Sequence, residues 1–226
     1  MSWISHRGVV ASTAPVIEKA AYSHSFATGT KPAGMAEDAS RSNMVPLVIV
    51  GGSNLREATT GGGGSSHWYG QHPGLMKTRR YRATATVGSQ SSGTNRGCIV
   101  WVGGTDGAGG DGITNLVWLR VRGQSLAPVI GTKSGLIVAG AGTDRASGSN
   151  ALVTPGDTIS LEISESGGIY TYTGFKNDNP LPGCVWTDSA AAFGVPGKAW
   201  GCGGQGVFSG SWFPSLGVAA MACADL

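Results

Sequence analysis

Asp157-Thr-Ile-Ser-Leu-Glu-Ile-Ser164, followed by Glu165-Ser-Gly-Gly168 and Ile169-Tyr-Thr-Tyr-Thr-Gly-Phe175, decides the fold of this 226-residue chain. Ile159, Leu161 and Ile163 fall on one side of an extended backbone; Thr158, Ser160, Glu162 and Ser164 fall on the other. Two-residue alternation running into a Gly-Gly pair is the pattern of a β-hairpin with one face buried. The chain therefore reads as a sheet protein.

The same pattern recurs outward from that hairpin. Val45–Val50 is continuously apolar, as in a strand buried on both faces. Tyr81–Val87 alternates cleanly, and Cys98–Val102 and Leu116–Arg122 follow across a Gly/Asp-rich loop. Leu126–Ile130 and Leu136–Ala139 flank Gly131-Thr-Lys-Ser-Gly135, which reads as a second hairpin turn. Cys184–Thr187, Lys198–Cys202 and Leu216–Cys223 complete the set. Roughly ten to thirteen strands at spacings of about 8 to 15 residues fit a two-sheet antiparallel jelly-roll sandwich. Residues 44–226 are assigned to this all-β sandwich. Residues 1–43, rich in Ala, Ser and Thr with β-like pieces at Val9–Ala11 and Ser23–Ala27, read as an N-terminal extension or docking segment. The first strands of the sandwich are the other reading of that segment. Helix potential is confined to Ala14–Ala21.

Composition narrows the function classes. Charged residues are 13% of the chain, about half the share of an ordinary soluble domain, while 40% hydrophobic residues are enough to fill a core. A surface so poor in charge suits a protein packed among copies or neighbours in an assembly. A net charge of +3 is too small to indicate a nucleic-acid partner, and the basic cluster Lys77-Thr-Arg-Arg80 with Arg82 reads as a solvated strand start. No stretch approaches the ~18 apolar residues of a membrane helix, so membrane insertion is not expected. Met1–Val10 lacks the basic and apolar regions of a secretory signal. The chain is thus expected to fold first in a cytoplasm, where disulfides do not persist. Cys98, Cys184, Cys202 and Cys223 have no metal-ligand spacing; Cys98 and Cys223 sit in apolar strands as buried thiols, while a Cys184–Cys202 bridge stays open.

Motifs for chemistry are weak. Gly107-Ala-Gly-Gly-Asp-Gly112 has glycines at dinucleotide-loop spacing, but a β-patterned run follows where a phosphate-binding helix is needed. Asp106 and Asp111 are too few carboxylates for calcium. Glu162 and Glu165 are the one close glutamate pair; one lies on a strand and the other at a turn, so they need not converge as a glycosidase pair must. His6, His24, His67 and His72 have no nucleophile elbow beside them. No cofactor, metal or catalytic residue is expected, and the chain reads as non-enzymatic. Trp101 and Trp118 lie within strands and read as core. Trp68, Tyr69, Trp200 and Trp212 lie in or beside Gly/Ser/Pro-rich segments and are the candidate glycan or interface contacts.

Thr154–Ile163, Tyr170–Asn177, Trp186-Thr-Asp-Ser189 and Gly197-Lys-Ala-Trp-Gly-Cys-Gly-Gly204, in that order, resemble the concanavalin A-like domains of minor tail proteins from siphoviruses that infect actinobacteria. The similarity spans residues 45–226 and extends to the strand order upstream. One departure is Lys176-Asn-Asp-Asn-Pro180, which reads as a longer loop where the family has a short Asn-Gly turn. The resemblance implies a structural virion component, most simply a minor tail protein displayed on the particle. Its partners would be other virion proteins, copies of itself and a host cell-surface glycan. The alternatives are a capsid decoration protein and a carbohydrate-binding module or lectin. The family supplies no catalytic or metal residue at matching positions.

Overall fold

The computed structural model describes residues 18–37, 47–57, 64–89, 97–104, 114–123, 126–136, 142–193, 198–208, 212–213 and 215–226. Val9–Ala11, Asp106, Asp111, His6 and the Gly107–Gly112 motif lie outside these residues. Among the described residues are sixteen strands and one short 3-10 turn, Phe26–Thr28. In chain order the strands are β1 (Ala21–Ser25), β2 (Ala36–Glu37), β3 (Leu47–Val50), β4 (Asn54–Glu57), β5 (Gly64–Gln71), β6 (Tyr81–Val87), β7 (Gly97–Gly104) and β8 (Thr114–Arg122). They continue as β9 (Val129–Leu136), β10 (Thr143–Ser147), β11 (Thr158–Ser166), β12 (Ile169–Lys176), β13 (Asn179–Asp188), β14 (Ala199–Phe208), β15 (Trp212–Phe213) and β16 (Val218–Asp225).

They form two antiparallel sheets of eight. Sheet 1 runs β13-β12-β11-β6-β16-β4-β3, with β1 also on β16; sheet 2 runs β10-β9-β8-β7-β14-β5-β2, with β15 on β14. The chain is an all-β sandwich of the jelly-roll kind.

The opening hairpin is β11–β12, in register from Ile159↔Lys176 to Ser166↔Ile169. Gly167 and Gly168 both have positive φ, +60° and +81°, the conformation that a two-residue turn between right-twisted strands requires. Ile159, Leu161 and Ile163 are buried. They pack with Tyr81, Ala83, Ala85 and Tyr172 of sheet 1 against Val100, Val102, Val117, Leu119, Trp200 and Cys202 of sheet 2. Each large side chain so placed contributes roughly 1.5–3 kcal/mol. Tyr81 spans the two layers: its hydroxyl accepts from Gly103 N at 2.8 Å and donates to Ala199 O at 3.4 Å. A buried phenol needs such partners.

Three expectations need correcting, and one pairing left open has an answer. Gly131–Gly135 is not a turn: it lies inside β9, where Val117↔Thr132 and Trp118↔Gly131 pair with β8. Gly131 is extended strand because the Trp118 indole occupies the space a side chain would need; an added Cβ would lie 2.1 Å from Trp118 Cζ2. Leu126 sits outside the strand in an isolated bridge to Ala151. Lys176–Pro180 is not a longer loop either. Asn177 and Asp178, at φ 48° and 61°, make a two-residue turn of the same left-handed kind, with Asn in the role expected of it. Of the run Val45–Val50, residues 45 and 46 lie outside the described residues, and Leu47–Val50 is not buried on both faces: β3 pairs with β4 alone and most of its residues are half-buried. No Cys184–Cys202 bridge forms; all four cysteines are free and buried.

Residues 18–37, within the segment set apart by composition, enter both layers. β1 pairs with β16 and β2 with β5, while Phe26 is fully buried. The Asp225 carboxylate ties this entry down. It accepts from Ala20 N (2.8 Å), Lys77 N (3.2 Å), Thr78 N (3.0 Å) and Thr78 Oγ1 (2.7 Å).

Candidate ligand-binding faces

The outward face of sheet 1 follows from the β6 alternation. Tyr81, Ala83, Ala85 and Val87 point into the core, so Arg82, Thr84 and Thr86 point out. Register then sets the neighbours in rows. Arg82 lies between Glu162 on β11 and Ala224 on β16, and Ala224 lies opposite Ala21. In the next row Thr84 lies between Ser160 and Ala222, and Ala222 lies opposite Ser23. Small side chains on β1 and β16 beside longer ones on β6 leave a groove of about 390 Å³, lined by Ser23, Arg82, Thr84, Ala222, Ala224 and Leu226 among others.

Its polar wall is held in place. Arg82 Nη2 and Nε donate to Glu162 Oε2 at 2.6 and 3.0 Å, and Nη1 donates to Asp178 Oδ1 at 3.2 Å. The guanidinium carbon sits 4.0 Å from the centre of the Phe175 ring. Thr84 and Ser160 share a hydroxyl–hydroxyl hydrogen bond of 2.9 Å. The groove thus presents fixed donors and hydroxyls above a floor of methyl groups, an arrangement that can hydrogen-bond a polyol and seat its apolar ring face. It does not present a hydrolytic pair. Glu162 is occupied by Arg82, and Glu165 Oε1 accepts from Gly168 N at 2.8 Å within its own turn. Among the described residues no cluster of three His, Cys, Asp or Glu could hold a metal ion.

The outward face of sheet 2 is different. Cys98, Val100, Val102, Val117, Leu119 and Val121 point into the main core. The intervening Ile99, Trp101, Leu116 and Trp118 point away from it and form a second buried cluster with Tyr69, Val129 and Ala199. The indoles are accommodated by glycine on the neighbouring strands. A Cβ at Gly201 would lie 1.9 Å from Gly70 O and 2.7 Å from Trp101 Cζ2. Trp101 Nε1 donates to Cys202 O at 3.3 Å. Arg120 flanks the cluster, 5.1 Å from the Trp118 ring, with Nη1 donating to Gln205 Oε1 at 3.0 Å. Burial, with Arg122 beside it, pushes the Arg120 pKa down; Asp144 and Tyr69 oppose the shift.

The four candidate aromatics are not brought together on a surface. Trp200 is fully buried in the sandwich core, where its indole donates to Gly74 O at 2.8 Å and stacks on His72 at 4.6 Å. It is a core residue and not a glycan contact, because β14 alternation turns it inward with Cys202. The His72 Nδ1 accepts from Gly74 N at 2.9 Å, and burial lowers the ring's pKa. Tyr69 is 8% exposed, in the second cluster. The backbones of Trp68 and Trp212 lie in β5 and β15, and their side chains lie outside what is described. Trp101 and Trp118 are buried, but on the far face of sheet 2 and not between the layers. Sequence reasoning read Arg82 only as part of a solvated strand start and passed over Thr84 and Ala222. The available signal was the Arg-Ala-Thr-Ala-Thr alternation of β6, whose outward set is wholly polar.

No protein-family model matches the chain, and no curated protein is similar to it in sequence. Solved structures are similar in fold. The CBM2 module of the evolved Dit of Lactobacillus casei BL23 phage J-1 is 12% identical with a TM-score of 0.52, covering 92% of this chain and 97% of that one. The carbohydrate recognition domain of Emp46p is 9% identical at TM-score 0.51, covering 89% and 95%. Peanut lectin with a 9mer peptide is 10% identical at TM-score 0.51, covering 92% and 97%. These likenesses establish a lectin-like, concanavalin A-like sandwich over nearly the whole chain.

Proposed function

We propose that this chain is a non-catalytic carbohydrate-binding sandwich that operates on a phage particle, with the groove on the outer face of sheet 1 as its glycan site. The observation that carries the reading is that groove: small residues beneath a wall of Arg82 and Thr84, the Thr84 hydroxyl held from behind by the buried Ser160, with the nearest carboxylate locked in an ion pair. Fold analogy supports the same class, since the neighbours include a carbohydrate recognition domain, a lectin and a phage CBM2 module. A shallow, open groove suits modest affinity per site, which many copies on one particle multiply by avidity.

The virion setting is favoured by the phage module among the neighbours and by a surface with few charges. In this reading the chain is a tail component. It assembles with other virion proteins and with copies of itself, residues 1–43 contribute to docking, and the groove meets host-surface glycan.

The test is a glycan array probed with the intact chain beside Ala222→Arg, which drives a long side chain into the groove from a solvent-facing position. Binding by the parent and loss in the variant at unchanged thermal stability supports the reading. Absence of glycan binding, or equal binding by the variant, overturns it. Mass spectrometry of purified particles tests the setting: the chain among virion proteins supports it, and its absence contradicts it.

A further inference from the structure

Arg120 and Arg122 stand two residues apart on β8 and therefore on one face of sheet 2, beyond the Trp118 indole. Gly97 of β7 lies opposite Arg122, and a Cβ there would meet Arg120 Cγ at 3.1 Å, so the arginines lie close against bare backbone. The Nε–H groups of both are buried and make no hydrogen bond among the described residues. Neither guanidinium enters an ion pair among the described residues; Arg120 is held by the Gln205 amide, and Asp144 acts on it only from beyond ion-pair distance. Arg120 and Arg122 are adjacent, partly desolvated cations that repel one another, and the attraction of Asp144 for Arg120 offsets this only in part, since burial and Arg122 outweigh it. Proteins place such pairs where an oxyanion completes them, because a guanidinium fork matches carboxylate and phosphate geometry.

We propose that Arg120, Arg122 and Gln205 form a second binding site, on the opposite face of the sandwich from the groove, for the oxyanion of an acidic sugar. The acidic group, carboxylate or phosphate, pairs with the two guanidiniums, and the Gln205 amide is the neutral donor beside them. This site is independent of the groove, so either can fail alone.

The experiment is a calorimetric titration of the intact chain with glucuronate, glucose 6-phosphate and glucose at low and high salt. The expected result is binding of one or both acidic sugars and not of glucose, weakening as salt screens the charges. Arg122→Gln should weaken that binding by about tenfold or more, the usual cost of losing a charged hydrogen-bonding partner. Its melting temperature should stay close to the parent's, and Ala222→Arg should leave the binding unchanged. Arg120 also packs on Trp118, so Arg122 is the cleaner substitution. Equal binding of glucose, no binding of either acidic sugar, full binding by Arg122→Gln, or loss of binding in Ala222→Arg would each overturn the assignment. The two acidic sugars also separate carboxylate from phosphate as the preferred group.

Discussion

Replacing Asp225 should loosen the sandwich at the corner where its two ends meet. The carboxylate is 7% exposed and collects four hydrogen bonds, from three backbone amides and the Thr78 hydroxyl. These donors belong to the lead into β1 and to the segment before β6, while Asp225 itself ends β16. Asp225→Ala leaves the donors without their acceptor. A donor stranded away from water costs about 1–3 kcal/mol, and the Lys77 and Thr78 amides recover part of that by meeting water. The net loss should be about 3–5 kcal/mol, or roughly 6–20 °C in Tm at this chain length. Asp225→Asn keeps an acceptor and loses the charge, so it should cost about half as much. The pH dependence has a definite sign. Burial alone would raise the carboxyl's pKa, but the bonds from Ala20, Thr78 and Lys77 outweigh it and hold the pKa below its ordinary value. A depressed carboxyl contributes its stability above the unfolded pKa of about 4 and loses it as pH falls through the folded pKa. Urea unfolding at neutral pH and at successively lower pH, followed by tryptophan fluorescence and circular dichroism, measures both effects. A variant within about 0.5 kcal/mol of the parent at pH 7, the range of an ordinary surface substitution, would refute the clamp.

Other outcomes follow from single contacts. Gly201→Ala should destabilise by more than about 3 kcal/mol, since the new methyl meets the Gly70 carbonyl, which belongs to the neighbouring strand and cannot rotate away; chemical denaturation giving a stability equal to the parent would contradict the packing of β5 on β14. Thiol titration of the folded chain should find none of the four cysteines reactive and all four reactive in denaturant, because burial pushes Cys98 and Cys184 up to about 12 and raises Cys202 and Cys223 as well; a fast-reacting thiol in the folded chain would count against the core. Burial works against ionisation of Asp157, but hydrogen bonds from Asn177, Thr154 and Lys176 outweigh it and lower the pKa to about 2. Its contribution should therefore be complete above about pH 4 and fade as pH drops through about 2, so the stability gap between the parent and Asp157→Asn closes across that window; a gap constant with pH would contradict the assignment.

The sheet character of this chain was legible because one-face burial writes itself as alternation. Ile159, Leu161 and Ile163, or Ala83 and Ala85, could be assigned to the core without coordinates. Glycine was the misleading signal. Read along the chain, Gly131 and Gly135 resemble turn punctuation, yet Gly131 is there because Trp118 of the adjacent strand lies across it. That relation is set by register between β8 and β9, which local composition does not encode. Trp200 was misassigned for a related reason: its glycine neighbours imply exposure, although they are the outward residues of a strand whose inward residues fill the core. The groove was hidden because its floor comes from β1 and β16, nearly two hundred residues apart in sequence but paired from Ala21↔Ala224 to Ser25↔Ala220. The Arg120–Arg122 pair was visible as two charges at the end of the apolar run Leu116–Val121; what sequence could not show is that neither enters an ion pair among the described residues.

The most direct test of the central claim is a titration of the isotopically labelled intact chain with an oligosaccharide, following the backbone amides by NMR. The account predicts saturable shifts concentrated at Ser23, Arg82, Thr84, Ala222 and Ala224, on the outer face of sheet 1. A saturating oligosaccharide that leaves those amides unmoved, or shifts only residues elsewhere, would contradict the groove as the carbohydrate site.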